Sequence, residues 1–147
     1  MSDPAPIAEA DLFTVPLLDG GVGLGQIIST NVNGAVQCLL SGLRDPVPRR
    51  IPEAAVLAIL FTDPRPFRTQ SWSVIGYDSL PEVARTPDSL LTDDAPVVRD
   101  PAIVEAFLNA CHGLYPWDGF PDAKFFSSLL LPGLPDPRTR RMQSEFS

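Results

Sequence analysis

DLFTVPLLDGGVGLGQII, residues 11–28, contains two strand patterns around one turn and sets the fold class of this chain. Leu12 to Leu18 is a first strand candidate, and Asp19-Gly20 is a strong hairpin signal before a second apolar stretch, Val22 to Ile28. Three alternating glycines in this region would share one face of a strand. A face without side chains lets a strand bend sharply or lets another backbone approach. The stretch therefore predicts antiparallel sheet structure with a bend, as at the corner of a small barrel.

Further strand patterns follow along the chain. Asn33-Gly34 is a second turn signal before the apolar run Ala35 to Leu40. Val56 to Phe61 is apolar on both faces, which predicts a central strand. Ser71 to Tyr77 predicts another strand, and its expected packing residues are Trp72, Val74 and Ile75.

The helix signals come last. Asp100-Pro101 predicts a helix start, with Asp as N-cap and Pro at the first helical position, and Gly113 predicts its end. Asp122 is expected to cap a second short helix that stops before Pro132-Gly133. Strands followed by helices predict an α+β fold. We expect a curved antiparallel β-sheet, small and barrel-like, from the N-terminal half, with two C-terminal helices packed against it.

Length and composition predict one folded domain. The chain has 147 residues, of which 17 are prolines that favour short elements over long helices. We expect a flexible leader at 1–10, a single domain at 11–133 and a flexible tail at 134–147. No apolar run is long enough for a membrane span, and the N-terminus lacks a signal-peptide pattern. The expected location is cytoplasmic, with no membrane partner.

Negative charge is concentrated in residues 78–122. This segment has Arg85 and Arg99 as its basic residues, and the formal net charge of the whole chain is −7. Its acidic residues are Asp78, Glu82, Asp88, Asp93, Asp94, Asp100, Glu105, Asp118 and Asp122. An acidic surface repels nucleic acid and favours a basic protein partner, although it also serves solubility alone.

No catalytic or metal-binding constellation is evident in the sequence. His112 is the single histidine, so no zincin helix or His-His metal site can be assembled. The expected role is a hydrogen bond to the helix end, or a favourable interaction there when the ring is protonated. Cys38 and Cys111 have no metal-ligand spacing and are expected to be buried free thiols. The glycines of residues 20–25 run into a strand pattern rather than a helix, so they do not predict a phosphate loop. We therefore expect no cofactor, no metal and no catalytic residue, which makes an enzyme the less favoured class.

An aromatic cluster surrounds Asp118. Tyr115, Trp117 and Phe120 follow the predicted helix end, and large aromatics in a loop either pack on the protein body or meet a partner. Burial of Trp117 as a core anchor is the favoured alternative. If its ring is partly exposed, the cluster is typical of a docking patch for an Arg-rich protein.

These motifs, in this order, resemble the immunity protein 26 family. The resemblance rests on Phe13-x-x-Pro16-Leu17-x-Asp19-Gly20-x-x-Gly23-x-Gly25-x-Ile27, on Val56 to Phe61, on Trp72-Ser73-Val74-Ile75-Gly76, and on Phe107-Leu108-Asn109-Ala110-x-x-Gly113-Leu114-Tyr115-Pro116-Trp117-Asp118 with Phe125-Phe126-x-x-Leu129-Leu130. It spans roughly residues 11–133. The resemblance implies a small bacterial antidote, encoded beside a polymorphic toxin, that binds the toxin and blocks it.

Two other functions stay open. Some relatives in that family are described as phosphotriesterases, which implies a small metal-dependent hydrolase as the rival. A non-catalytic regulatory domain is the third possibility. For an immunity protein with a basic cognate toxin, the expected partner-binding residues are Asp93, Asp94, Glu105, Tyr115, Trp117 and Asp118.

Overall fold

The computed structural model describes residues 7–32, 34–85 and 97–146. In these ranges six strands form one sheet in the order β5-β1-β2-β3-β4-β6. The strands are β1 Asp11–Pro16, β2 Val22–Val32, β3 Ala35–Arg44, β4 Val56–Thr62, β5 Ser73–Tyr77 and β6 Val98–Arg99. Strands β1 to β4 form an antiparallel meander, and β5 returns to pair with β1.

Among the described residues, the helical segments are short except for one. They are α1 Arg65–Arg68, α2 Glu82–Arg85, α3 Pro101–Cys111 and α4 Phe125–Leu129, with 3-10 turns at Glu53–Ala55 and Gln143–Glu145. Helix α3 starts as the sequence predicts, because the side chain of Asp100 accepts a hydrogen bond from the N–H of Ala102 and Pro101 follows the cap. Gly113 lies just past its end with a φ of 75°, a left-handed conformation that glycine adopts without strain.

Successive strand residues point to opposite sides of the sheet, and a cluster of buried apolar residues covers each face. On one face Phe13 and Val15 belong to a core that includes Val104, Phe107 and Leu108 of α3. On the other face, a second core contains residues of the strands, of the segment before β4, of the segment before α2 and of α2 itself. Its buried members are Leu12, Leu24, Ile28, Leu39, Ile51, Val56, Leu80 and Ala84.

The fold class is α+β, but the sheet differs from the predicted one in two respects. It is mixed rather than purely antiparallel, because β6 pairs in parallel with β4 at Phe61 and Thr62. It is also open rather than closed into a barrel, with β5 and β6 as its two edges. A hairpin signal fixes the pairing of neighbouring strands, but it does not determine whether the first and last strands of a sheet meet.

Close approach at one glycine follows the sequence prediction. A Cβ placed on Gly25 would lie 2.6 Å from the ring of Phe13 and 2.9 Å from the carbonyl oxygen of Leu39. Gly25 and Phe13 are directly paired across β1 and β2, so the bare glycine makes room for the aromatic ring. Phe13 in turn contacts Phe67 and Trp72, at centroid distances of 5.0 and 5.7 Å.

The edge strand β5 is more exposed than its sequence predicts. Trp72 is buried, as expected, but Val74, Ile75 and Tyr77 are 44%, 47% and 80% exposed. The expectation that Val74 and Ile75 are packing residues is wrong, because β5 lies at the border of the sheet, where its side chains extend beyond both cores.

The ends of the predicted domain have several contacts with its body. At the start, the N–H of Ala10 donates to the carbonyl of Ile27, whereas residues 1–6 of the predicted leader lie outside the described residues. In the segment predicted as a tail, the side chain of Thr139 donates to the carbonyl of Cys111, and the carbonyl of Arg141 accepts from the N–H of Trp117. In the described ranges, no helix has the length and apolar character needed to span a membrane.

Candidate functional site

A surface pocket of about 390 Å³ lies between the end of β1 and α3. It is lined by Pro16, Leu17 and Leu18 from β1 and the turn after it, by Glu105, Ala106 and Asn109 from α3, and by Tyr115. Two of the residues that the sequence predicts for partner binding, Glu105 and Tyr115, are therefore brought together. We call this site the Glu105–Tyr115 pocket.

At the pocket, β1 extends beyond its neighbour β5. The pairing of β1 with β5 ends at Thr14 and Ser73, so Pro16, which pairs with Val22 of β2 on its other side, has no strand partner on the β5 side. Proline has no backbone N–H. The N–H of Leu17 donates to Gly21 within the hairpin, and the N–H of Leu18 donates to the side-chain oxygen of Asn109. The backbone donors of this segment are thus satisfied, and Leu18 itself is 71% exposed.

Glu105 supplies the negative charge of the pocket. Its Oε2 accepts a hydrogen bond of 3.1 Å from the indole Nε1 of Trp72, which is itself buried. That bond fixes the direction of the half-buried carboxylate. In the part of the chain that the structure describes, no Lys, Arg or His side chain forms an ion pair with Glu105.

Asn109 holds the two walls of the pocket together. Its Oδ1 accepts from the N–H of Leu18 at 2.7 Å, and its Nδ2 donates to the backbone carbonyl of Glu105 at 2.8 Å. The side chain is 4% exposed, so the amide is a buried structural group whose oxygen and nitrogen both have partners. Buried polar groups are normally satisfied in this way.

Tyr115 forms the third side of the pocket. Its ring is half-buried and makes edge contacts with Phe120 and Phe126, at centroid distances of 6.1 and 6.0 Å. The backbone before it is anchored to α3, because the N–H of Leu114 donates to the carbonyl of Asn109. These contacts support one face of the ring on the core and leave part of it at the pocket.

Trp117 has a different position from the predicted one. It is 2% exposed, its Nε1 donates to the hydroxyl of Ser127, and its ring packs on Phe107 and Phe126. Trp117 therefore has almost no exposed surface for the docking role that was predicted for it. The alternative prediction, that Trp117 is a core anchor, is confirmed. The physical reason is that the chain after α3 folds back over the core and α4 covers the indole.

Asp118 is not among the residues that line the pocket. Its carboxylate accepts a hydrogen bond of 2.6 Å from the backbone N–H of Gln143 and so helps to hold the C-terminal segment. Asp93 and Asp94 lie outside the described residues.

Several other carboxylates of the acidic segment support the fold. Asp78 pairs with Arg50 at 3.1 Å, Asp100 caps α3, and the side chain of Asp122 accepts from the N–H of Lys124 before α4. The bonds to Asp100 and Asp122 come from residues two positions away, whereas Arg50 is 28 positions from Asp78 and offsets its charge. These interactions mean that the charge count alone does not identify a docking face.

The helix-end histidine lies near charged groups at the β1–β2 turn. Burial lowers the pKa of His112, and the positive charge of Arg44 lowers it further against the opposing effects of Asp19 and Asp45. Its Nε2 is buried and has no hydrogen-bond partner within the described residues. The neutral imidazole is thus favoured, and a protonated His112 stabilising the end of α3 is not supported.

The two cysteines are buried free thiols, as the sequence predicts. Burial raises the pKa of Cys38 to about 12 and raises that of Cys111 as well. Among the described residues, no three His, Cys, Asp or Glu side chains are arranged to hold a metal ion.

Sequence reasoning missed the residues that complete the pocket. Leu18 and Asn109 are 91 positions apart, and no local pattern relates them. No sequence signal identifies Leu18 either, because a single apolar residue before a turn is common whether or not it is exposed. No protein-family model, curated protein or solved structure matches this chain.

Proposed function

We propose that the protein is an immunity-type binding protein that neutralises a basic toxin by direct contact. The observation that carries the proposal is the Glu105–Tyr115 pocket, in which a carboxylate without a described ion-pair partner lies beside an aromatic ring and an exposed leucine. Tyrosine is one of the residue types that are enriched in the hot spots of protein–protein interfaces. The resemblance to the immunity protein 26 family supports the same proposal. We also propose, from the same resemblance, that the sheet has a barrel-like curvature and that α3 and α4 pack against it.

Charge supports a basic partner. The chain has a formal net charge of −7, and Glu105 contributes to the acidic segment at residues 78–122. A basic partner would associate faster with such a surface than a neutral one, and salt would reduce the rate. Toxins that cut nucleic acids are frequently basic, because they must bind phosphates. A nuclease is therefore the toxin class that fits best.

The test is co-expression with the product of the neighbouring gene. We expect the wild-type chain to protect cells and to bind that product with an affinity that falls steeply as salt rises. Glu105→Gln and Tyr115→Ala should weaken binding while the chain stays folded. Glu9→Gln is the matched control, because Glu9 is exposed and precedes the opposite end of β1 from the pocket.

The contribution of the remaining predicted residues is measured separately. Asp93→Asn with Asp94→Asn tests the central part of the acidic segment, and Asp118→Asn tests the carboxylate that contacts Gln143. If the charge-removing variants at Asp93, Asp94, Glu105 and Asp118 all retain wild-type affinity and salt dependence, docking by charge is wrong. Turnover of a phosphotriester that disappears on chelation would identify the hydrolase instead.

A further inference from the structure

We infer that the Glu105–Tyr115 pocket binds the guanidinium side chain of an arginine. The inference rests on the proposed function for the source of that arginine, which is an exposed side chain of the partner protein. It deepens the proposal by naming the group that enters the pocket.

The sign of the charge selects a cation. Among the described residues that line the pocket, Glu105 is the one carboxylate, and Trp72 holds its Oε2 by a hydrogen bond of 3.1 Å. A carboxylate that is already oriented loses little conformational entropy when it pairs, and charge-assisted hydrogen bonds are stronger than neutral ones. The pocket is thus prepared to accept a donor with a positive charge.

The available donors argue against an anion or an added strand. The N–H groups of Leu17 and Leu18 already donate to Gly21 and Asn109, and Pro16 has none. The amide nitrogen of Asn109 donates to the carbonyl of Glu105. The N–H groups of Leu17 and Leu18 and one N–H of the Asn109 amide are therefore already paired, and an entering carboxylate or phosphate would be repelled by the charge of Glu105.

The walls suit a long side chain with an apolar stem. Leu17, Leu18, Ala106 and the ring of Tyr115 offer carbon surface next to the carboxylate. Arginine packs its methylene groups on such a surface while its charged end reaches a polar partner. Its planar guanidinium can also lie against an aromatic ring and form two parallel hydrogen bonds with one carboxylate. Lysine shares the stem and the charge but lacks the planar fork, so arginine is the better ligand.

The two buried indoles provide a matched pair of reporters. Trp72 Nε1 donates to Glu105, whereas Trp117 Nε1 donates to the hydroxyl of Ser127. In ¹⁵N-labelled protein, N-acetyl-arginine amide should shift the indole N–H resonance of Trp72 in a saturable way and affect that of Trp117 much less. N-acetyl-citrulline amide has nearly the same shape without the charge and should produce little shift. N-acetyl-lysine amide controls for added ionic strength and should bind more weakly than the arginine probe.

Glu105→Gln gives the decisive comparison. It keeps the size of the side chain and an oxygen that can accept from Trp72, but it removes the charge, and we expect affinity for the arginine probe to fall about tenfold. The spectrum of this variant shows whether it is folded. A Trp72 resonance that does not move, an equal response to citrulline, or equal affinity in Glu105→Gln would overturn the inference.

The failure of this inference can be told apart from the failure of the proposed function. Saturable arginine binding together with no binding of the neighbouring gene's product would sink the immunity function and leave the arginine site in place. If the Glu105→Gln variant binds that product with unchanged affinity, the partner docks without placing an arginine in the pocket. The inference then fails while the proposed function stands.

Discussion

The side-chain oxygen of Asn109 accepts a hydrogen bond of 2.7 Å from the backbone N–H of Leu18, and the same amide donates to the carbonyl of Glu105 at 2.8 Å. One buried side chain thus joins the turn after β1 to α3 and sets the width of the pocket between them. The bond to Leu18 joins two different elements, whereas the bond to Glu105 lies within α3, so loss of the Asn109 amide should affect both the stability of the fold and the shape of the site.

Asn109→Ala should lower the free energy of unfolding by about 1–3 kcal/mol, because the N–H of Leu18 loses its acceptor in a partly buried position. Urea unfolding measures the change. Gln143→Ala is the control, since Gln143 is exposed and removal of its amide should cost less than about 0.5 kcal/mol. Equal stability of the two variants would contradict a structural role for the Asn109 amide.

A pair of glycines in β2 tests the close approach of Phe13. Gly25→Ala should destabilise the protein by about 1–3 kcal/mol, because the new Cβ would lie 2.6 Å from the Phe13 ring and 2.9 Å from the carbonyl of Leu39. Gly23→Ala is the matched change in the same strand. Its Cβ would meet Leu108 at 3.4 Å, an ordinary contact, so its stability should be close to wild type or slightly higher. Urea midpoints compare the two variants, and the reverse order would refute the packing argument.

His112 should make stability depend on pH in the mildly acidic range. Its pKa in the folded chain lies below the ordinary value of about 6.5, because of burial and the charge of Arg44, so the unfolded chain takes up the proton first. The free energy of unfolding should therefore decrease as the pH falls below about 6.5 and continue to decrease down to the folded pKa. Urea unfolding between about pH 7.5 and pH 5 measures this slope.

The control for this slope is His112→Gln, which should flatten it. The pKa values of Asp19 and Asp45 are also lowered, chiefly by hydrogen bonds from Arg44 and from the N–H of Val22 respectively. Their stabilising effect is present above their ordinary pKa and is lost as the pH falls through the folded values, so it belongs to a more acidic window. A slope in His112→Gln as steep as in wild type would assign the effect to other groups.

The thiols should be unreactive in the native protein. Thiolate is the reactive form, and burial raises the pKa of Cys38 to about 12 and also raises that of Cys111. Labelling with a thiol-specific disulfide reagent at neutral pH should be slow without denaturant and rapid for both residues in urea. Cys38→Ser and Cys111→Ser assign each signal. Rapid labelling of either native thiol would show that the surrounding core opens more readily than this packing implies.

Much of the local structure could be predicted from the sequence. Residues 11–28 form the hairpin that their turn signal indicates, and the Asp100-Pro101 pair starts α3 at the expected position. Burial of the two cysteines also follows from their apolar neighbours. These features depend on residues a few positions apart, so the chemistry that produces them is visible in a short stretch of chain.

The candidate site was predicted less completely, because its parts come from distant segments. Glu105 and Tyr115 were expected to bind a partner, but Leu18 and Asn109, which complete the pocket, were not. Trp117 was given an exposed alternative that the packing of Phe126 and Ser127 removes. Apolar and aromatic side chains have the same sequence signature whether they fill a core or form a docking surface.

The amino-acid sequence by itself indicated strands β1 to β5, the turns that join β1 to β3, the start of α3, the acidic character of the chain and the tendency of its cysteines to be buried. Tertiary structure decided that β5 forms an exposed edge beside β1, that β6 pairs in parallel with β4, and that Leu18 meets Asn109 at a pocket. The physical reason is that hydrogen-bond partners and burial depend on which distant segments pack together. That choice is made by the free energy of the whole fold and not by any one stretch of residues.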